Sequence, residues 1–366
     1  MKITLRDVAE KAGVTISTVQ RALNEGGGVS EAKRVFIKKI ADELGYQRTL
    51  IHPGKKGQFR IAAIFPDTTQ DNRFYTHHLW KGIDQYVDMY STYGIELVPL
   101  TYKQLDEHIL RAQEILDGCH GVVDGVVARG TGTAESSAQY RKMQESGIPV
   151  VLVGTDIISS HRLCCVKNYE QMAGSMAADM LIGFGVLNEG SRVIICGTFR
   201  GMNQFHNAQG FERQTWDSGL KIEILKIPNA ENNDETKQSI CAMLESNENI
   251  TAIYACSARS TIAACNAIEQ MDMTGKVRVI GSDLFQESIN LLRNGQISAL
   301  MHHRPYTLAY RSIETLVNHL ANGKKQIADT ILINSEIVTK GNLDYFLRDI
   351  PSLEEFVDSE RLALLR

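Results

Sequence analysis

Long hydrophobic runs are absent from this 366-residue sequence. No stretch of about 18 consecutive apolar residues occurs, so we expect no membrane-spanning helix. The N-terminus, MKITLRDVAEK, carries charges where a secretory signal peptide needs an apolar core, which predicts a cytoplasmic protein. The 7 cysteines are scattered and none forms a CxxC pair. We therefore expect reduced thiols rather than disulfides or a metal centre.

Signatures of catalysis and of cofactor binding are also missing. The sequence has no GxSxG, no HExxH, no Walker loop and no dinucleotide-binding glycine motif. His77 and His78 would make a poor metal chelate, because neighbouring side chains on a helix point about 100° apart, and we expect both at the surface. These absences predict a protein without catalytic residues, metal or cofactor. An enzyme on an α/β fold stays an alternative.

The sequence does have an ordinary globular composition with an uneven charge. Hydrophobic residues make up 43% and charged residues 22% of the chain. The length predicts two or three domains. Residues 1–60 hold 12 Lys and Arg against 6 Asp and Glu, a net charge of +6, whereas the remainder holds 27 against 37. A basic head on an acidic body is typical of a protein with one part that binds phosphate.

Two short helices are predicted within residues 4–24. Thr4 and Asp7 have the spacing of an N-terminal capping box, and Gly13 can take the positive φ that ends a helix before Thr15 opens the next one. Helix, glycine turn and helix form the unit that places a second helix in the DNA major groove, although an ordinary helical hairpin also fits. The apolar stripe of the first helix is Leu5, Val8, Ala9 and Ala12. A third helix follows Ser30, and its predicted buried side is Phe36, Ile37, Ile40, Ala41 and Leu44.

The run DVAEKAGVTISTVQRALN resembles the DNA-binding headpiece of the lactose-repressor (LacI) family. The resemblance covers residues 3–46 and assigns residues 1–46 to a helix-turn-helix headpiece. It implies that Ile16, Ser17 and Arg21 meet base edges, with Arg21 as a fork for guanine, although Ile16 also fits core packing. The DNA-contacting residues that it implies, with phosphate contacts included, are Thr4, Thr15, Ile16, Ser17, Thr18, Gln20, Arg21 and Asn24. Beyond the resemblance, the charges of Lys55 and Lys56 make them further predicted DNA-binding residues, as phosphate contacts.

Residues 47–60 are predicted to form a linker, and the match to the family is weaker there. In the lactose-repressor family this segment usually forms a hinge helix that inserts a leucine into the minor groove and kinks the operator. Here Lys55 stands at the expected leucine position, and Pro53 and Gly54 disfavour a helix just before it. Insertion of another apolar residue in a shifted register is the alternative.

From residue 61 onward, short apolar strands alternate with helical segments. Most of these strands are continuous Val- and Ile-rich runs, which is typical of parallel strands covered on both faces. Helical patterns of ten or more residues separate most of them, and this predicts a doubly wound α/β fold. The predicted strands are 61–65, 96–100, 125–128, 150–153, 193–196, 223–227, 252–255, 277–281 and 299–301.

This succession resembles the type I periplasmic sugar-binding fold, which the lactose-repressor family uses as its effector domain. The resemblance implies two doubly wound α/β subdomains within residues 61–345, joined by three crossovers, with a ligand held in the cleft between them. Residues 346–366 are predicted to form an added C-terminal amphipathic helix. The implied subdomain limits are about 61–160 and 290–323 for the first, and about 161–289 and 324–345 for the second.

Ligands of open parallel sheets bind beyond the carboxyl ends of the strands, so polar and aromatic residues that follow each strand are the candidates. Phe74 matches an aromatic that stacks on a sugar ring in the family, although it also fits the start of a core helix. Asp283 matches the family's Gly-x-Asp acid, whereas Asn207 stands where relatives carry an arginine. The predicted effector-binding residues are Asn72, Phe74, Arg129, Asp156, Asn207, Ser257, Asp283 and His303.

The other candidates carry weaker signals. Arg129 offers a donor fork but fits a surface ion pair equally well, and Asp156 is a candidate hydroxyl acceptor. Ser257 replaces the first member of the family's Asn-Asp pair, and His303 aligns with a polar ligand contact of the periplasmic relatives. This altered set leaves a simple pentose or hexose as the default ligand, with a modified sugar or another polar metabolite as the alternative.

Together these features predict a homodimeric transcriptional repressor. Its headpiece would bind a pseudo-palindromic operator in double-stranded DNA, and its cleft would bind a small polar effector, a sugar or sugar derivative. Effector and DNA would then influence each other reciprocally. Two further alternatives stay open: a DNA-binding regulator whose cleft binds nothing and serves as a dimer scaffold, and a solute-binding protein without a DNA function.

Overall fold

The computed structural model describes residues 5–15, 18–19, 22, 30–43, 59–69, 73–91, 94–131, 133–197, 202–230, 232–322, 327–350 and 353. They belong to two compact units, Met1–His52 and Pro53–Arg366. None of the described helices is long and apolar enough to cross a membrane. Several predicted contacts lie outside the described residues and stay predictions: Thr4, Ile16, Ser17, Gln20, Arg21, Asn24, Lys55, Lys56 and Asn72.

The first unit contains helix α1 at Leu5–Ala12 and helix α2 at Glu31–Glu43. The prediction that Phe36 is buried is wrong, since its exposed fraction is 51%. The core face of α2 passes through Ile37 and Ile40, and the residue beside Ile37 points about 100° away from that face. The buried core of this unit is Val8, Ala9, Val19, Ala22, Ile37, Ile40 and Ala41.

The turn after α1 has the geometry that the sequence predicted. Gly13 has a φ of +64°, and the amide of Val14 donates to the carbonyl of Ala9 at 3.0 Å, which closes the helix end. The hydroxyl of Thr15 accepts from the amide of Thr18 at 3.2 Å and so caps the next helical turn. The two threonine hydroxyls also lie 2.8 Å apart, so their predicted role as phosphate contacts would require this bond to open or to be shared.

The second unit alternates strands and helices. All nine predicted strands are confirmed to within two residues at each end. The strands are β1 Phe59–Pro66, β2 Ile95–Tyr102, β3 Gly125–Arg129, β4 Val150–Val153, β5 Cys164–Asn168, β6 Arg192–Gly197, β7 Glu223–Pro228, β8 Ile250–Ala255, β9 Arg278–Ser282, β10 Ala299–His302, β11 Thr330–Ile333 and β12 Glu336–Val338. The helices are α3 Thr76–Met89, α4 Leu105–Leu116, α5 Ala134–Glu145, α6 Glu170–Gly183, α7 Met202–Asp217, α8 Asn233–Ser246, α9 Ala258–Gln270, α10 Gln286–Arg293, α11 Pro305–Asn322 and α12 Leu343–Asp349.

These strands form two sheets of six. The first has the order β11-β5-β4-β3-β1-β2 and is parallel throughout. The second has the order β12-β10-β9-β8-β6-β7, with β12 antiparallel to β10 and the other strands parallel. The central strands of both sheets are buried: all four residues of β4 in the first sheet and five of the six residues of β6 in the second. The predicted doubly wound α/β fold with two subdomains is confirmed.

The limits of the two subdomains differ from the predicted ones. Within the described residues the chain crosses between sheets after β5, between β10 and α11, and between β11 and β12. Strand β5 therefore belongs to the first subdomain, beyond the predicted limit at residue 160. Helix α10 and strand β10 belong to the second, although the first was predicted to resume at 290. Strand β11 belongs to the first, beyond the predicted limit at 323. The pairing that places β11 in the first sheet joins Thr330 to Cys165, segments more than 100 residues apart in the chain.

The two ends of the α/β domain also differ from the predicted limits at residues 61 and 345. Strand β1 begins at Phe59, inside the segment predicted to be a linker. At the other end, helix α12 spans the predicted limit at residue 345, and its side chains Phe346 and Leu347 pack into the core of the second subdomain together with Leu353. The first residues of the predicted C-terminal extension are thus part of that subdomain. Residues 354–366 lie outside the described part of the chain.

Candidate functional site

A cavity of about 320 Å³ lies between the two subdomains of the second unit. Its walls are formed by residues that follow the carboxyl ends of strands in both sheets, which is the position expected for ligands of open parallel sheets. Six of the eight predicted effector-binding residues line it, and they come from both subdomains: Phe74, Arg129, Asn207, Ser257, Asp283 and His303. We call this the cleft cavity.

Besides Oγ1 of Thr76 on the first subdomain, three buried polar atoms of the cleft cavity, all on the second subdomain, have no hydrogen-bond partner among the described residues. They are Oδ1 of Asp283, Oδ1 of Asn207 and Nε2 of His303, in side chains that are at most 9% exposed. An unsatisfied buried polar group costs about 1–3 kcal/mol, so such groups are uncommon unless water or a ligand satisfies them. Their convergence on one cavity indicates that it binds a polar molecule.

Asp283 is held rigidly at the end of β9. Its φ is +69°, a conformation that few residues other than glycine adopt, and its amide donates to the carbonyl of Met301 at 3.0 Å. The hydroxyl of Ser288 donates to its carbonyl oxygen at 3.0 Å. Burial raises the pKa of the Asp283 carboxyl to about 7, although a hydrogen bond from the backbone of His303 acts in the opposite direction. The group is therefore a hydroxyl acceptor whose charge depends on pH near neutrality.

His303 presents a neutral ring to the cavity. Burial lowers the pKa of this imidazole to about 4, so it is uncharged at neutral pH. Its Nδ1 lies 3.0 Å from the hydroxyl of Ser335, which fixes the ring and leaves Nε2 facing the cleft. The tautomer decides whether Nε2 donates or accepts, so this ring can either donate a hydrogen bond to a ligand hydroxyl or accept one from it.

Phe74 lines the cavity but also bridges the two subdomains. Its ring lies 4.5 Å from that of Phe285, and the guanidinium of Arg73 lies 4.4 Å above it. Arg73 in turn forms an ion pair with Glu287 at 2.8 Å. Phe74 is thus part of a cluster at the mouth of the cleft, and its predicted stacking on a sugar ring stays a prediction.

His78 corrects a second expectation at this boundary. It is only 3% exposed, not a surface histidine, and its Nε2 lies 3.1 Å from the carbonyl oxygen of Leu284 in the other subdomain. Burial lowers the pKa of His78 to about 4, so the ring is neutral. Within the described residues no group of three His, Cys, Asp or Glu side chains is arranged to hold a metal ion.

Ser257 caps helix α9, whose first residues line the cavity. Its hydroxyl accepts from the amide of Ser260 at 3.2 Å, and the side-chain amide of Asn229 donates to it at 3.4 Å. The side chain of Arg259, in the first turn, donates to the carbonyl of Ala230 at 3.1 Å. Ser257 thus fixes the wall of the cleft through the helix end, in addition to its predicted contact with a ligand.

The structure does not bring Asp156 into the cleft cavity. Its carboxylate accepts two hydrogen bonds from Arg162, at 2.6 and 2.8 Å, and both side chains are largely buried. The sequence prediction assumed that every polar residue after a strand faces the cleft. Here an arginine six residues later occupies both carboxylate oxygens, so Asp156 is a structural residue.

Several residues of the cavity wall escaped the sequence prediction. Asn168 is the last residue of β5 and Glu170 follows it, and the periodicity did not reveal this strand. Asn168 donates to the carbonyls of His303 and Ile333, each at 2.9 Å, and so joins the crossovers at the base of the cleft. The rule of strand ends would have found both residues once β5 was known. The other polar wall residues that were not among the predicted contacts are Tyr75, Thr76, Gln204, Asn229 and Arg259.

Comparison with known families agrees with both halves of this architecture. Residues 4–49 match the family described as "Bacterial regulatory proteins, lacI family", and residues 61–325 match the family described as "Periplasmic binding protein domain". Over most of its length the chain belongs to the periplasmic binding protein domain family, and it carries a lacI-family DNA-binding domain at residues 4–49. A helix-turn-helix segment thus precedes a two-subdomain α/β domain in this chain.

Individual relatives of this protein are distant. It is 26% identical over 291 residues to catabolite control protein A of Priestia megaterium, which covers 77% of this chain and 83% of the relative. It is also 26% identical over 295 residues to the ribose operon repressor of Halalkalibacterium halodurans, with coverages of 76% and 80%. A solved structure of a LacI transcriptional regulator from Bacteroides fragilis superposes with a TM-score of 0.67 at 21% identity, covering 79% and 99% of the two chains, and supports the fold.

Proposed function

We propose that this protein is a homodimeric cytoplasmic repressor. It binds a pseudo-palindromic operator through residues 1–46 and a small polar effector, a sugar or sugar derivative, in the cleft cavity. The observation that carries the effector assignment is the set of three unpartnered buried polar atoms that face one cavity. The name of the ribose operon repressor, a relative over three quarters of the chain, agrees with a sugar effector.

The unpartnered atoms also weigh against a cleft that binds nothing and serves only as a dimer scaffold. In such a protein the cavity wall would have no reason to keep Asp283, Asn207 and His303 without partners, because each costs stability. The match to the lacI family over residues 4–49 weighs equally against a solute-binding protein without a DNA function.

The test combines DNA selection with a cleft variant. The purified protein is used to select duplexes from a random library at one stated salt concentration, since affinity for DNA depends steeply on salt. We expect the selected duplexes to share a two-fold symmetric site. We also expect added sugars to change the affinity of the protein for a selected duplex. Asp283→Ala should keep the DNA site but abolish that response. An asymmetric site, or none, would contradict the homodimeric repressor, and an unaltered sugar response in the variant would contradict the cleft assignment.

A further inference from the structure

The charges on the wall of the cleft cavity are unequally compensated, and Arg129 is the clearest case. Its guanidinium lies 5.8 Å from the ring centre of Tyr75 and faces the cavity from the end of β3. No carboxylate pairs with Arg129 among the described residues. The neighbouring Asp156 is already bound through both oxygens to Arg162. A guanidinium placed in a closing cleft without an acid loses hydration and gains no ion pair, which is unfavourable unless a ligand supplies the anion.

The two acids of the wall do not balance this charge. The carboxylate of Glu170 is bound by its own backbone amide and lies in the first turn of α6, where the helix dipole already favours an anion. Burial raises the pKa of both Glu170 and Asp283, the latter to about 7. Neither of these two acids of the cavity wall forms an ion pair with Arg129 among the described residues.

The cavity is small enough for one ligand to reach both walls. Its volume of about 320 Å³ is at the lower end of the range of roughly 300–1,000 Å³ that is usual for small-molecule sites. Burial raises the pKa of the Tyr75 phenol, the negative charge of Asp283 raises it further, and the positive charge of Arg129 lowers it. Tyr75 therefore lies within electrostatic reach of both Arg129 and Asp283. The cation and the hydroxyl acceptors thus lie around one central side chain.

We propose that the effector is a polyhydroxy compound with one anionic group, a carboxylate or a phosphate, which pairs with Arg129. Its hydroxyls bind the three unpartnered atoms on the second subdomain. Arg129 therefore selects sugar acids or sugar phosphates over neutral sugars. This inference rests on the proposed function, because it names the ligand class of the same cleft.

The experiment is calorimetric titration of the full-length protein with matched ligands. The panel pairs D-glucose with D-glucuronate, with its uncharged analogue D-glucuronamide and with glucose 6-phosphate, and repeats the set in the galacto series. We expect one anionic class to bind at least about 30-fold more tightly than its neutral counterparts, the factor expected for a desolvated charge pair. The carboxylate and phosphate arms separate the two sources of the anion.

Variants then assign the effect to one residue. Arg129→Gln should remove the preference for the anion, and Arg129→Lys should restore part of it, because the charge is kept and the fork is lost. The matched control is Arg141→Gln, in the same subdomain, whose guanidinium donates to the carbonyl of Ser159 and does not line the cavity. That variant should bind like the unmodified protein.

Three results would overturn the inference. If neutral sugars bind as tightly as the sugar acids and sugar phosphates, the inference is overturned but the proposed function is not. An Arg129→Gln variant that folds and keeps the anion preference would show that another residue supplies the charge. Binding of no compound in the panel, together with operator binding that no compound alters, would contradict both the inference and the effector part of the proposed function.

Discussion

At the scale of single residues, the cleft differs from an ordinary protein interior because several of its buried polar atoms have no hydrogen-bond partner among the described residues. Asp283 shows this most clearly, with a left-handed backbone, a 6% exposed side chain and one carboxylate oxygen without a partner among the described residues. Such features lower stability, and they are typical of positions that are retained for function. The paired Asp156 shows the opposite case, in which the same residue type has a structural partner.

The buried carboxyl of Asp283 predicts a specific dependence of stability on pH. Because its pKa rises from 3.8 in the unfolded chain to about 7 in the folded state, the folded state keeps a proton that the unfolded state loses. Its contribution to stability is therefore present at low pH and is lost as the pH rises from about 4 to 7. Asp283→Asn should remove this loss, so that the variant gains up to about 4 kcal/mol on the unmodified protein between pH 4 and 8.

Urea unfolding of both proteins across that pH range measures the difference. Asp106→Asn, at an exposed position in the first turn of α4, is the control, and it should not acquire the gain. Parallel stability curves for Asp283→Asn and the unmodified protein would show that the carboxyl is not desolvated in solution.

At the scale of elements, the sequence predicted regular strands and missed those whose existence depends on their neighbours. The nine strands that were predicted have apolar runs of their own, most of them rich in Val and Ile. The three that were missed are β5, in which Lys167 and Asn168 interrupt the apolar pattern after three residues, and the short edge strands β11 and β12. Edge strands gain their order from pairing with distant segments, and no local pattern encodes that pairing. Glu170 was missed as a consequence, because it follows β5.

Helix caps allow a stabilising role to be separated from a binding role. Ser257 caps α9 at the cleft, and Thr133 caps α5 away from it by the same bond, to the amide of Ser136 at 3.2 Å. We expect Ser257→Ala and Thr133→Ala each to lower the free energy of unfolding by about 1 kcal/mol. Only Ser257→Ala should lower the affinity for the effector, as measured by calorimetric titration. Equal effector affinity in the two variants would limit Ser257 to its structural role.

At the scale of the whole second unit, contacts at the mouth of the cleft hold the two subdomains together. Phe74 packs on Phe285, Arg73 pairs with Glu287, and His78 meets the carbonyl of Leu284. The ion pair is exposed and contributes little, typically below about 1 kcal/mol, so the aromatic contact and the buried histidine are the more important links. A ligand that bridges the subdomains would favour this closed arrangement in proportion to its preference for it.

The aromatic contact predicts how closure and binding are linked. Phe285→Ala should lower the population of the closed form, raise the radius of gyration of the ligand-free protein in X-ray scattering, and weaken effector binding about 2- to 10-fold. The control is Phe184→Ala, which removes an aromatic ring of the second subdomain that is 77% exposed and does not line the cleft cavity. An unchanged radius and affinity in Phe285→Ala would show that this contact does not set the closure.

The sequence by itself determined the helix-turn-helix segment, the order of nine strands and six of the residues on the cavity wall, because each rests on local patterns: a cap, a glycine turn, an apolar run or a position after a strand. The tertiary structure alone decided where the chain crosses between sheets, that Asp156 pairs with Arg162, and that His78 is buried against the other subdomain. It also decided which polar atoms of the cleft stay unpartnered. These outcomes depend on contacts between segments far apart in the chain, and burial and pairing exist only once the two sheets face each other.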